Sequence, residues 1–98
     1  TATVWRTKTK AVYVVFSKEL SEDRMVTANR FKIARDKSNT GIIYLIMDSG
    51  GDKPTKKTKS GRLGLPINPG IAEWFFHNEF EVDLVKIGER DTLRLTAI

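Results

Sequence analysis

The stretch "EFEVDLVKI", residues 79–87, passes through "GERD" at 88–91 into "DTLRLTAI" at 91–98. Phe80, Val82 and Leu84 alternate with Glu79, Glu81 and Asp83. A period of two puts the apolar side chains on one face of a strand and the carboxylates on the other. This part of the chain therefore reads as half-buried β-structure with an acidic outer face, and it sets the fold class for what precedes it.

Working outward, "AVYVVFS" (11–17) is a continuous β-branched and aromatic run, the composition of a strand buried on both faces. Ahead of it, Trp5, Thr7 and Thr9 alternate with Arg6, Lys8 and Lys10. If 3–17 formed one strand, a single face would pass from wet to dry, or a bulge near Lys10 would divide it. "SKELSEDR" (17–24) reads as a loop or one helical turn, and "RMVTANRFKIARD" (24–36) as a strand pair or one bent strand. "DKSNTG" (36–41) carries turn residues and leads into "GIIYLIMD" (41–48), which predicts an antiparallel hairpin. "RLGLP" (62–66) reads as a short strand ended by Pro66. "NPGIAEWFFHN" (68–78) is the one helical stretch, with Asn68 as cap, Pro69 at the first position and Asn78 closing it in the left-handed conformation. Ile71, Trp74 and Phe75 would form its apolar face. The expected fold is mainly β, a β-rich α+β chain: a small β-barrel or strongly bent antiparallel sheet, with one short helix near 69–77. Residues 1–98 are expected to form a single domain.

Hydrophobic residues make up 40% of the chain and charged residues 30%, a balance that supports a packed core rather than disorder. There is no cysteine, which excludes a disulfide framework and a thiolate zinc site and fits a reducing compartment. The longest apolar runs, "AVYVVF" and "IIYLIM", are too short to span a bilayer, and the first residues do not read as a signal peptide. The expectation is a soluble, intracellular protein, cytoplasmic or nucleoid-associated, with no membrane partner. No pair of histidines or acidic loop suggests a metal, and nothing implies a cofactor. The single histidine, His77, falls at the expected helix end, where a capping or dipole role is commoner than catalysis. No nucleophile sits in a recognisable motif, so an enzyme is not expected.

Charge is unevenly spread. Residues 1–49 carry nine Lys/Arg against five Asp/Glu, residues 50–62 five against one, and residues 63–98 three against six. "GGDKPTKKTKSGRLGLP" (50–66) holds Lys53, Lys56, Lys57, Lys59 and Arg62 among glycine, proline and hydroxyl residues. It reads as a flexible basic loop at about 50–62. Such a loop gains most against a phosphate chain, where each neutralised phosphate releases a counterion. Lysines would supply charge, and Arg62, next to a strand, a fixed bidentate contact. A second basic set is Arg6, Lys8 and Lys10 on one strand with Arg30 and Lys32 on another, which would form a cationic face if those strands were neighbours. Trp5 is the aromatic expected to be exposed beside these cations, where a base could stack on it. Tyr13 and Tyr44 lie inside apolar runs and are expected in the core.

The segment "SGRLGLPINPGIAEWFFHNEFEVDLVKIGERDTLRL" resembles the AbrB/MazE type of swapped-hairpin DNA-binding domain. Gly61, Arg62, Leu63, Leu65, Pro66, the helix 69–77, Glu81, Leu84, Leu93 and Leu95 carry the resemblance. Where that family has a strand before its Gly-Arg, this chain has "KPTKKTKS". The resemblance implies a homodimer of interleaved hairpins, duplex DNA as partner in transcription regulation or as an antitoxin, and Arg62 as a DNA contact.

Together these readings point to a nucleic-acid-binding protein, DNA favoured over RNA, acting as a transcription regulator or single-strand binder. The alternative is a small interaction module or inhibitor that binds an acidic protein partner without nucleic acid.

Overall fold

The computed structural model describes residues 1–7 and 10–98. The two C-terminal strands pair along their whole length, β7 (Glu79–Ile87) with β8 (Arg90–Ala97), from Phe80 opposite Ala97 to Ile87 opposite Arg90. Gly88, at φ 62°, makes the tight turn between them. The expected hairpin of β3 (Phe31–Arg35) and β4 (Ile42–Met47) also forms, and β4 pairs with β8. The remaining strands are β1 (Ala2–Arg6), β2 (Val12–Phe16), β5 (Thr55–Lys56) and β6 (Leu63–Ile67). All eight form one antiparallel sheet in the order β3-β4-β8-β7-β1-β2-β6-β5. The protein is thus mainly β, a strongly curled half-barrel.

The curl is enough to bring the two edges of the sheet together at one place. Phe31, on edge strand β3, donates its N–H to Asp52 O at 2.8 Å and accepts from Asp52 N at 2.9 Å. Asp52 lies just ahead of β5, the opposite edge. Gly51 permits this approach: a Cβ there would overlap the carbonyl group of Phe31 and stand 2.8 Å from its nitrogen.

Inside the curl, β-strand alternation directs Val4, Val14, Phe16, Phe31, Leu45, Leu65, Phe80 and Leu95 into one core. Burying each such side chain contributes about 1.5–3 kcal/mol. Two short helices, α1 (Lys18–Glu22) and α2 (Arg24–Thr27), follow β2 at one end of the strands. The Ser17 hydroxyl accepts from Leu20 N and caps α1. Buried Ser21 donates to Ser17 O at 2.8 Å and accepts from Leu63 N at 2.9 Å, pinning α1 to β6. At the other end, Pro69–Phe75 forms a 3-10 helix capped by Asn68, whose carbonyl oxygen accepts from Gly70 N at 2.8 Å. Phe75 enters the core edge-on to Phe80, with ring centres 6.2 Å apart.

Several expectations are corrected. Residues 3–17 are neither one strand nor a bulged one. They form the β1–β2 hairpin, with Thr7 N donating to Ala11 O at 2.9 Å and Lys10 at φ 64° in the turn. Residues 24–36 begin with helix α2 before β3, because Asp23 caps that turn through Met25 N. Pro66 lies within β6 rather than ending it. β5 pairs only Leu63 and Gly64, so the side of β6 away from β2 is open at position 66 and no ladder bond is lost. Asn78 is not left-handed: Lys10 is the only non-glycine residue with positive φ among those described. The 3-10 helix stops at Phe75, and His77 stacks on Phe76 at 4.3 Å instead of capping it.

Candidate functional site

On β2 the inward residues are Val12, Val14 and Phe16, so Tyr13 and Val15 face outward. The register sets Trp5, Tyr13 and Pro66 in one outward row across β1, β2 and β6, and Thr3, Val15 and Gly64 in the next. Tyr13 is half-buried on this outer row, a correction to its expected place in the core. Val15 is fully buried yet stands outside the central core, and a further layer crosses its row at Gly64.

That layer comes from the basic segment. The stretch expected as a loop contains β5 and closes onto β6 as a hairpin: Lys57 N donates to Arg62 O at 3.0 Å, and Gly61 N to Thr58 O at 3.1 Å. Gly61 has φ 85°, and the Thr58 hydroxyl accepts from Arg62 N at 3.0 Å. The stem of Lys57 then crosses directly over Gly64, where an added Cβ would lie 2.5 Å from Lys57 Cγ. This carries Lys57 Nζ to 4.3 Å from the Tyr13 ring centre. Arg62 donates from Nε to Phe16 O at 2.9 Å, and its guanidinium carbon lies 5.9 Å from the Trp5 ring. Each cation thus stands by the face of an aromatic ring, an arrangement contributing about 0.5–1 kcal/mol where exposed. Trp5 itself is 39% exposed.

Lys53, Lys56, Lys57 and Lys59 make no ion pair among the described residues. Two acidic side chains of the C-terminal third pair locally instead, Asp83 with Arg94 at 3.5 Å and Asp91 with Lys86 at 4.0 Å.

The second basic set does not assemble as a sheet face. Strands β4, β8 and β7 lie between β3 and β1, so Arg30 and Lys32 are remote from Arg6. Arg6 has a structural task, donating to Phe75 O and to Asn78 Oδ1, which ties β1 to the end of the 3-10 helix. Lys10 is exposed in the β1–β2 turn, and Lys8 falls outside the described residues.

Arg30 instead lines a cleft of about 560 Å³ with Asn29, Met47, Asp48, Lys53 and Arg90. Asp48 Oδ1 accepts from Gly50 N at 2.8 Å, while Oδ2 meets Arg90 and lies 3.9 Å from Lys32 Nζ. The Gly50 N–H and then the Arg90 guanidinium hold the Asp48 carboxyl below its ordinary value of 3.8. Elsewhere, the Ser38 N–H and the Tyr44 hydroxyl lower Asp36, and donation to Asp36 at 2.9 Å raises Tyr44. Tyr44 is half-buried and, like Tyr13, faces outward rather than into the core.

The sequence reading missed Arg90 and Asp48. They come from the start of β8 and the end of β4, far apart in the chain, and the pairing of β3, β4 and β8 side by side brings them to Arg30. Among the described residues no three His, Asp or Glu side chains converge as a metal site, and no helix is long and apolar enough to cross a membrane. No protein-family model, curated protein or solved structure matches this chain.

Proposed function

We propose that the protein binds nucleic acid on the outer face of β1, β2 and β6. Bases would rest on Trp5 and Tyr13, and phosphates would meet Lys53, Lys56, Lys57, Lys59 and Arg62. One observation carries this reading: Lys57 and Arg62 lie beside two outward rings in a single row, while the segment's lysines pair with no carboxylate among the described residues. A base has a π-face and a phosphate next to it, so a ring with an adjacent cation matches each nucleotide twice. Stacking of this kind contributes about 1–3 kcal/mol per base. It needs bases splayed from a duplex, which favours a single strand. DNA is favoured over RNA on the resemblance of residues 61–98 to a DNA-binding domain.

The AbrB/MazE-like resemblance of 61–98 supports the same role for Arg62 and adds duplex DNA, transcription regulation and a homodimer as possibilities. In this chain β7 and β8 pair with β1 and β4, so interleaving two copies would require those ladders to open. The reading assigns no catalytic role. A cytoplasmic or nucleoid-associated setting suits such a partner.

The test is a binding titration by fluorescence anisotropy with single-stranded DNA, duplex DNA and RNA at several salt concentrations. Replacing Lys53, Lys56, Lys57 and Lys59 by alanine should weaken binding to every sequence. It should also flatten the single-strand salt dependence by up to about 2.8 in log–log slope, at about 0.7 per phosphate contact. Trp5→Ala should weaken single-strand binding while leaving that slope in place. No binding at low salt, or an unchanged slope, would overturn the proposal and leave this face to an acidic protein partner.

A further inference from the structure

We infer that the cleft between the start of β3, the end of β4 and the β7–β8 turn binds a terminal phosphate, the dianionic end of a nucleotide or a strand. This site shares Lys53 with the basic segment proposed above but does not depend on the Trp5 and Tyr13 rings. Its lining side chains include three cations, Arg30, Lys53 and Arg90, and one carboxylate, Asp48. Both oxygens of that carboxylate are already engaged, Oδ1 by the Gly50 N–H and Oδ2 by Arg90 and Lys32. Asp48 therefore holds Arg90 in place, and among the described residues Lys53 and Arg30 have no acidic partner. Arg30 is itself fixed, donating from one terminal nitrogen to Gly51 O at 3.3 Å and keeping its other donors available.

The chemistry selects the ligand. Convergent cations in a concave site are wasted on a single negative charge, whereas a phosphomonoester carries nearly two at neutral pH, with three acceptor oxygens. The volume, about 560 Å³, falls within the usual range of about 300–1,000 Å³ for small-ligand sites and leaves room beyond the phosphate. Met47 and Ala28 line that extra space and would meet a sugar or base. The segment carrying Asp48 and Lys53 is held to β3 by the Phe31–Asp52 bridge.

The probe is inorganic phosphate, titrated at constant ionic strength while backbone amides are followed by NMR. The expected result is a saturable shift confined to residues 29–30, 48–53 and 90. Lys53→Ala and Arg30→Gln should each raise the dissociation constant by about tenfold or more, as for loss of one charge-assisted hydrogen bond. Lys59→Ala should not. Lys53 makes no side-chain hydrogen bond or ion pair among the described residues, so its variant remains informative if Arg30→Gln fails to fold. Non-saturating shifts spread over all the lysine-bearing segments, or an unaltered constant in Lys53→Ala, would overturn the inference.

A mononucleotide and a pair of oligonucleotides, 5′-phosphorylated and 5′-hydroxyl, then identify the source. A gain from the 5′-phosphate that is lost in Lys53→Ala assigns the site to strand ends, and binding of the mononucleotide alone assigns it to free nucleotides. The 5′-hydroxyl strand and its dependence on Trp5 report the other face. If that binding fails while phosphate still titrates the cleft, the nucleic-acid reading falls and the cleft stands.

Discussion

Replacing Gly51 by alanine tests the contact that turns an open sheet into a nearly closed one. The added Cβ would run into the carbonyl group of Phe31 and approach its nitrogen at 2.8 Å. All three atoms are backbone, so no side-chain rotation can relieve the clash, and the segment 51–52 must draw away from β3. Two hydrogen bonds then go, Phe31 N to Asp52 O and Asp52 N to Phe31 O. At about 0.5–1.5 kcal/mol each, that is about 1–3 kcal/mol. Phe31 is 1% exposed, so loosening its strand also disturbs core packing, and strain of this type costs about 1–3 kcal/mol. A loss of at least about 2 kcal/mol corresponds to a fall of about 8–16 °C in Tm for a domain of this size. Thermal unfolding followed by circular dichroism measures it directly. Gly50→Ala is the control: its Cβ would meet only side-chain atoms, Asp48 Oδ1 at 3.3 Å and Lys32 Cε at 3.6 Å, and Tm should stay within about 4 °C. If Gly51→Ala melts alongside that control, the edges are not in tight contact, and the segment carrying Asp48 and Lys53 is not held by the Phe31–Asp52 bridge.

Gly64→Ala forces the Lys57 stem off its path across β6, so Lys57 should lose its place over Tyr13 and Val15 should become accessible. Stability should fall by about 1–2 kcal/mol, and the single-strand salt slope by about 0.7, one contact. A urea melt and the anisotropy titration read these separately, and an unchanged slope would place the Lys57 charge outside the binding path. Asp36 and Asp48 both have carboxyls held below the ordinary value of 3.8, so each favours the folded state when ionised. That contribution is complete above the unfolded pKa and is lost as pH falls through the lower folded value. Tm should therefore decline with acidification below about pH 4, and Asp48→Asn should decline less steeply because its share is already absent. An identical slope in that variant would show that Asp48 gains nothing from Gly50 and Arg90.

Local pattern was enough to find most of the sheet. Strict alternation marked β7, and the β-branched run marked β2, because one-sided and two-sided burial leave those signatures in residue order. The cap of Asn68 was likewise legible, since capping is a contact between near neighbours. What escaped was decided by tertiary pairing. Nothing in "TVWRTKTKAVYVVF" marks the left-handed Lys10 that reverses the chain, as lysine is a poor residue for that conformation. Strand order was equally hidden, and with it the fate of Arg6, Arg30 and Lys32, which composition groups together and three intervening strands keep apart. Tyr13 was misplaced because an unbroken apolar run does not reveal that its outer side meets a lysine ammonium rather than another core layer.

The basic segment shows how charge and topology combine. Lys53 and Lys57 are four residues apart, so their Cα atoms are separated by at most about 14 Å. Lys53 lines the cleft at the joined edges, and Lys57 lies over Tyr13 on the outer row. One short stretch of chain therefore links both candidate sites, at a separation that a few nucleotides of extended strand could bridge. A strand whose end sits in the cleft would have its next phosphates near Lys56 and its bases within reach of Tyr13 and Trp5. Occupying both sites then raises the effective concentration of the second contact without any new interaction, so affinity should depend on length as well as on terminal phosphate. Binding of 5′-phosphorylated oligonucleotides should rise steeply over the first few nucleotides and then level off. A rise with no plateau would mean the two sites act as parts of a diffuse cationic surface rather than as ends of a defined path.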